Sequence, residues 1–239
     1  MNTEFARLSP RDWSVQPPYL YERYASNALR APRQPLLRLE PTLSDLTGPV
    51  FGADAVRRED ADLTRNANTG GEALGQRIHV TGRLLEDDGR PVPNALIEIW
   101  QANAAGRYRH TRDQHHAPLD PNFIGGGRIM TNANGEYRFT SIHPGAYPWN
   151  NHDNAWRPAH IHFSLFGSMF ASRLVTQMYF PGDSLLPLDP IFNSVHSERG
   201  RQAMVARYAH DVTEPMVALG YRFDIVLRGR DETPMETHS

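Results

Sequence analysis

His160 and His162 are the side chains most able to do chemistry together, one residue apart in the run AHIHFSL at 159–165. If that run is a strand, alternation puts both imidazoles on one face, roughly 7 Å apart along the backbone, so both can reach one metal ion. Zinc, copper and iron all accept imidazole, and the pair alone does not name the metal. Two polar residues on a solvated strand face is the plainer alternative. Tyr147 lies upstream in HPGAYPWNN, a proline-and-glycine loop that presents side chains free of a strand's constraint. Tyr108 lies in AAGRYRH, soon after an apolar run that ends at Trp100. Taken singly, each tyrosine reads as a core or surface aromatic. Arg157, three residues before His160, suits either a buried anion or a surface ion pair.

Composition narrows what such a cluster could be. The 239 residues include no cysteine, which excludes disulfides, thiolate metal sites and a cysteine nucleophile. All 25 basic residues are arginine, so Schiff-base chemistry and a lysine-bearing phosphate loop are excluded too. With 11 histidines and 9 tyrosines, any metal here is held by nitrogen and oxygen donors. A net charge of −2 and a pI near 6.6 argue against a nucleic-acid or membrane surface. No run of about 18 apolar residues occurs, and the opening MNTEFARLSPRDW lacks an apolar signal region. The expected location is therefore cytoplasmic. The hydrolase signatures GxSxG and HExxH are absent, and the Gly125-Gly126-Gly127 run lacks a dinucleotide loop's strand-then-helix context.

The elements that must position these residues read as β-strands. Short runs at 78–85, 95–100, 127–131, 136–142, 159–165, 174–180 and 221–227 are separated by turn chemistry. Seven or so strands at this spacing predict an all-β fold, a sandwich or a barrel. Asn134-Gly135 predicts a hairpin joining the strands at 127–131 and 136–142. Only residues 198–208 suggest a helix, weakened by Gly200. Residues 1–75 are rich in Pro and Arg without helical or strand period, and LTGPVFG at 46–52 is turn chemistry. WSVQPPYLYERY at 13–24 is too aromatic for a disordered tail, so this part reads as an extended arm lying on its own chain or on a partner. The expected division is an arm and connecting segment at 1–75 and a catalytic sandwich at 76–239.

Several of these motifs, in this order, resemble the signature of the intradiol ring-cleavage dioxygenase family. They are V-x-G-x-L at 80–84, IEIW at 97–100, GRY at 106–108, IHPGAYP at 142–148 and RPAHIHF at 157–163, with LTGPVFG and DLTR upstream. The resemblance implies a β-sandwich of mostly antiparallel strands with an extended N-terminal arm and long active-site loops. It implies one non-haem Fe(3+) per chain, held by Tyr108, Tyr147, His160 and His162. Phenolate oxygen suits this hard cation independently, and two tyrosinates with one hydroxide would balance its three charges. Catalytic roles would fall on Arg157, on Tyr147 as the ligand that leaves, and on Gln177. Tyr24, Trp149, Ile191 and Arg157 would contact substrate.

Within the family the aromatic arm and the lack of a helical N-terminal domain match the branch that acts on protocatechuate with O2. That branch implies a homologous alpha subunit and a hetero-oligomer, with Trp13, Tyr19, Leu20, Tyr21 and Tyr24 offered to the partner. Catechol or hydroxyquinol is the alternative substrate. A transthyretin-like or carbohydrate-binding module explains GRPVPNALIEIW but not the Tyr, Tyr, His-x-His set. A zinc hydrolase using His160 and His162 is a third reading.

Overall fold

Apolar residues at alternate positions pair the strands into two layers. The computed structural model describes residues 11–37, 56–150, 153, 156–166 and 174–236. In one sheet, β1 (Arg77–Leu85) is central. It pairs antiparallel with β4 (Glu136–Ile142) and parallel, in successive stretches, with β10 (Leu219–Arg222) and β11 (Ile225–Val226). β9 (Arg207–Tyr208) closes the edge on β10. The second sheet is antiparallel throughout, in the order β3 (Gly126–Met130), β2 (Leu96–Trp100), β7 (His160–Phe166), β8 (Leu174–Tyr179). A two-stranded ribbon joins β5 (Tyr147–Pro148) to β6 (Trp156–Arg157).

The core lies between the two sheets. Ile78 and Val80 of β1 and Phe139 of β4 meet Ile97 and Ile99 of β2 and Phe163 of β7, all at most 2% exposed. Phe163 packs on Tyr137, Phe139 and Phe223 with ring centroids 5.3–6.0 Å apart, the edge-on or tilted contacts aromatic quadrupoles favour. Gly82 has a specific reason to lack a side chain. A Cβ there would overlap the carbonyl of Phe223, which accepts a hydrogen bond from the Tyr137 hydroxyl.

Three expectations need correcting. Asn134-Gly135 does form a turn, with Gly135 at φ +71° and the Asn132 side chain accepting from the backbone of Asn134 and Glu136. It joins no hairpin, because β3 belongs to the β2 sheet and β4 pairs with β1, so the turn crosses between layers. The helix expected at 198–208 is only α2 (Glu198–Ala203), capped by the Ser197 hydroxyl. The chain then turns extended because Ala206 donates its N–H to Tyr179 and Arg207 pairs with β10. A further short helix, α1 (Pro190–Ser194), starts at Asp189.

The arm, expected to lie on its own chain or on a partner, is partly buried against this chain. Val15 is 1% and Gln16 6% exposed, a five-residue 3₁₀ helix spans Ala25–Leu29, and Arg11 bridges to Gly229. Trp13 and Leu20 stay exposed. Leu63, from the connecting segment, lies in the core. The turn expected at 46–52 lies outside the described residues.

Candidate metal centre and active site

β7 alternates as expected: Ile161, Phe163 and Leu165 point into the core, and His160 and His162 stand on the outer face of the same sheet. Their ring centroids are 4.8 Å apart. Cross-strand register builds the rest of this face. His162 sits between Trp100 of β2 and Gln177 of β8, and His160 sits opposite Tyr179. Trp100 stacks on His162 at 4.7 Å and 5°, which fixes the plane of that ring.

Two loops bring the tyrosines. Gly106, at φ +77°, has no room for a Cβ against the Ala146 carbonyl, and a Cβ on Gly145 would lie 2.5 Å from the Ala104 carbonyl. These glycines let the two loops touch, tied by the N–H groups of Gly106 and Gly145 on the Asn103 carbonyl at 3.0 and 2.9 Å. Two residues beyond each glycine stand Tyr108 and Tyr147, in edge contact at 5.3 Å. The Tyr147 hydroxyl lies 3.3 Å from His160 Nε2.

Hydrogen bonds decide the tautomers. His160 Nδ1 lies 2.8 Å from the Pro158 carbonyl and His162 Nδ1 2.9 Å from Glu236 Oε2, so both rings carry the proton on Nδ1 and present the Nε2 lone pair. Burial, with Arg157 and His162 nearby, pushes the His160 pKa well below its ordinary value and keeps the ring neutral. Arg157 is 2% exposed. Its guanidinium donates to Asp189 through Nε and Nη2, both at 2.9 Å, and Nη2 also reaches Gln177 Oε1 at 2.7 Å. Burial opposes its charge, but Asp189, Tyr179 and Tyr147 together outweigh this and raise the pKa well above the usual arginine value. Trp149 lies under the guanidinium at 5.2 Å.

The residues fit a hard, oxygen-seeking cation. Tyr108 is half-buried, yet its hydroxyl oxygen is enclosed and has no hydrogen-bond partner. Such a group is costly unless something satisfies it. Burial and the neighbouring Tyr147 raise its pKa well above 10, and a bound cation reverses that preference. Among the described residues no group of three or more His, Asp or Glu converges as a metal site, and the tyrosines are the further oxygen donors beside the histidine pair.

A cavity of about 650 Å³ opens beside the cluster, lined by Trp100, Tyr108, Tyr147, Trp149 and His162 and rimmed by the loop carrying His110 and Arg112. Tyr24 is 7% exposed and packs on Trp149 at 5.0 Å. Gln177 is buried with its oxygen and nitrogen both engaged, the latter donating to Glu236. Ile191 is buried in α1 beside Asp189, off the cavity wall.

Sequence reasoning missed Asp189, Tyr179 and Glu236. Asp189 carried a readable signal, an Asp-Pro helix start in which its side chain accepts from Phe192 N–H. Tyr179 and Glu236 carried none. Burial alone would raise the Glu236 pKa, but His162 and the Gln177 amide outweigh it and hold the carboxyl below the ordinary range.

A two-layer sandwich carries two tyrosines and two histidines on one outer corner, a set of N and O donors without sulfur that suits a metal ion. The chain belongs to the intradiol ring-cleavage dioxygenases: the family described as "Dioxygenase" matches residues 46–229, and that family implies non-haem iron. Residues 9–42 match the family described as "Protocatechuate 3,4-dioxygenase beta subunit N terminal". The chain is 59% identical over 229 residues to the protocatechuate 3,4-dioxygenase beta chain of Burkholderia cepacia, covering 96% of this chain and 97% of that one. It is 29% identical to the alpha chain from the same organism over 67% of this chain and 77% of the other. The solved 3-chlorocatechol 1,2-dioxygenase of Rhodococcus opacus 1CP shares the fold, with a TM-score of 0.53 and 21% identity over 76% of this chain and 70% of that one. No helix among the described residues is long and apolar enough to cross a membrane.

Proposed function

We propose that this chain is the catalytic chain of an enzyme that opens the ring of protocatechuate between its two hydroxyl-bearing carbons. O2 supplies both new oxygen atoms, and the product is 3-carboxy-cis,cis-muconate, an intermediate of aromatic catabolism. The convergence of Tyr108, Tyr147, His160 and His162, with the Tyr108 hydroxyl enclosed and unpartnered, carries this reading. These four residues would hold one non-haem Fe(III) per chain. When bound, ferric iron supplies Lewis acidity for the catechol oxygens and draws electron density that opens the ring carbon to O2.

The protein's own groups do the rest. His160 and His162 give neutral nitrogen at Nε2, their Nδ1 protons held elsewhere. Tyr147, on a short strand that among the described residues pairs with Trp156 and Arg157, would be the ligand able to move and to accept a substrate proton at its phenolic oxygen. Arg157 holds a permanent positive charge 3.3 Å from His160 Nε2, where it stabilises negative charge that develops on the ring. Gln177 fixes that guanidinium. Trp149 lines the cavity with Tyr24 packed behind it, and this end would take the substrate carboxylate.

The partner is a homologous alpha chain. Similarity to both chains of the Burkholderia enzyme supports this, as do Trp13, Leu20, Leu29, Leu36 and Leu37, all at least 50% exposed on the arm.

The test is metal analysis, a visible spectrum and product mass. One iron per chain, a red tyrosinate charge-transfer band and a product 32 Da heavier than protocatechuate, as two added oxygen atoms (16 Da each) require, are expected. A colourless, iron-free, active preparation overturns the reading.

A further inference from the structure

The N-terminal arm and residues 232–236 meet behind the candidate site. Residues 232–236 run beside β8, where Glu236 N–H donates to the Val175 carbonyl at 2.9 Å and Thr176 Oγ1 to the Pro234 carbonyl at 2.7 Å. Glu236 Oε2 then receives two hydrogen bonds, from His162 Nδ1 at 2.9 Å and Gln177 Nε2 at 2.7 Å. Trp100 fixes the plane of His162, but a 180° flip about the Cβ–Cγ bond keeps that plane and exchanges Nε2 with Cε1. Only the bond at Nδ1 fixes where Nε2 points and which nitrogen is free to bind.

The tail that carries Glu236 is held from the N-terminal arm. Gln16 is 6% exposed; its Oε1 accepts the Met235 N–H at 2.9 Å and its Nε2 donates to Glu232. One arm side chain thus grips the tail at Glu232 and at Met235, the residue before Glu236. Through Gln177, the same carboxylate connects to Arg157, which lies against the other histidine.

We propose that Glu236 is the positioning residue of His162, and that Gln16 is the clamp that holds Glu236 in place. The carboxylate orients the ring, raises the basicity of Nε2, and ties the two histidines into one hydrogen-bonded frame. The arm thereby contributes to the metal centre without touching it. This rests on the reading of the site as an iron centre.

The experiment measures iron release to a chelator and the visible spectrum of the full chain in its native assembly. Glu236→Ala should weaken iron retention by roughly 10–100-fold, the usual cost of removing such a partner. Glu236→Gln keeps an acceptor of the same shape without the charge. It should release iron faster than wild type, with a shifted charge-transfer band and unchanged melting in the presence of chelator. Gln16→Ala should accelerate release by a smaller factor and add nothing in the Glu236→Ala background. Wild-type release rates and spectra in both Glu236 variants overturn the proposal, and additive effects of Gln16 and Glu236 overturn the clamp. A wild-type chain that holds no iron overturns the site reading itself; wild-type iron with indifferent variants overturns only this inference.

Discussion

Asp189→Ala should remove a large fraction of the protein's stability without touching the core between the sheets. Asp189 is 0% exposed, and its two oxygens accept Arg157 Nε and Nη2 at 2.9 Å, the Tyr179 hydroxyl at 2.8 Å and Phe192 N–H at 3.2 Å. Truncation strands a guanidinium that is itself 2% exposed, and breaking a buried pair this way costs about 3–5 kcal/mol. It also removes the N-cap of α1, worth about 1 kcal/mol. Together the loss is about 4–6 kcal/mol, against a total of about 5–15 kcal/mol for a typical domain. For a chain of this length that lowers Tm by roughly 10–20 °C. Urea unfolding with chelator present, so that metal loss does not contribute, measures it. Asp189→Asn keeps an acceptor for Phe192 and should cost about 1 kcal/mol less. The double variant Arg157→Met/Asp189→Leu, which leaves no unpaired charge, should be more stable than Asp189→Ala. A loss below about 2 kcal/mol, or a double variant no better than the single, would refute the view that an uncompensated buried charge dominates.

Tyr108→Phe should abolish the iron signal and yet leave the chelator-treated protein as stable as wild type or up to about 1–3 kcal/mol more stable, because the lost hydroxyl has no hydrogen-bond partner; parallel metal analysis and melting decide it. His143 gives a pH dependence. Burial against Phe180, at 4.1 Å, lowers its pKa, so the unfolded chain binds the proton first as pH falls. Its contribution to stability is complete above the ordinary histidine pKa of about 6.5 and declines as pH drops below it. Urea midpoints at pH 7.5 and pH 5.5 should show that slope, and His143→Asn should flatten it.

Strands were legible because burial on one face writes a local signal. β4 reads EYRFTSI in the sequence, and Tyr137 and Phe139 do face the core. What that signal omits is which neighbour a strand chooses. An Asn-Gly turn stabilises a reversal through the Asn132 side chain and the positive φ of Gly135, whichever sheet receives the next strand. β4 departs from β3 because its partner β1 was made some fifty residues earlier, a choice no turn residue encodes. The helix at 198–203 ended early for a similar reason: pairing of residues 206 and 207 with distant strands overrode local preference.

The site divides along the same line. The common face of His160 and His162 was readable because one strand's pleat alone sets it, whereas Tyr108 and Tyr147 read singly as ordinary aromatics and joined them only through the family resemblance. The residues that orient these groups come from far along the chain: Asp189 reaches Arg157 across 32 positions, Glu236 reaches His162 across 74, and Gln16 reaches Glu232 across 216. Their spacing carries no period, because the sandwich and not the local backbone brings them together. Donor atoms are specified by short motifs that fold almost anywhere on a sheet. Holding those atoms to one tautomer and one direction needs buried, fully paired polar groups, which only the completed fold and both chain ends can enclose. The donors of such a centre would therefore be set by β7 and two loops, and on the proposal above their alignment depends on contacts from the arm and the tail.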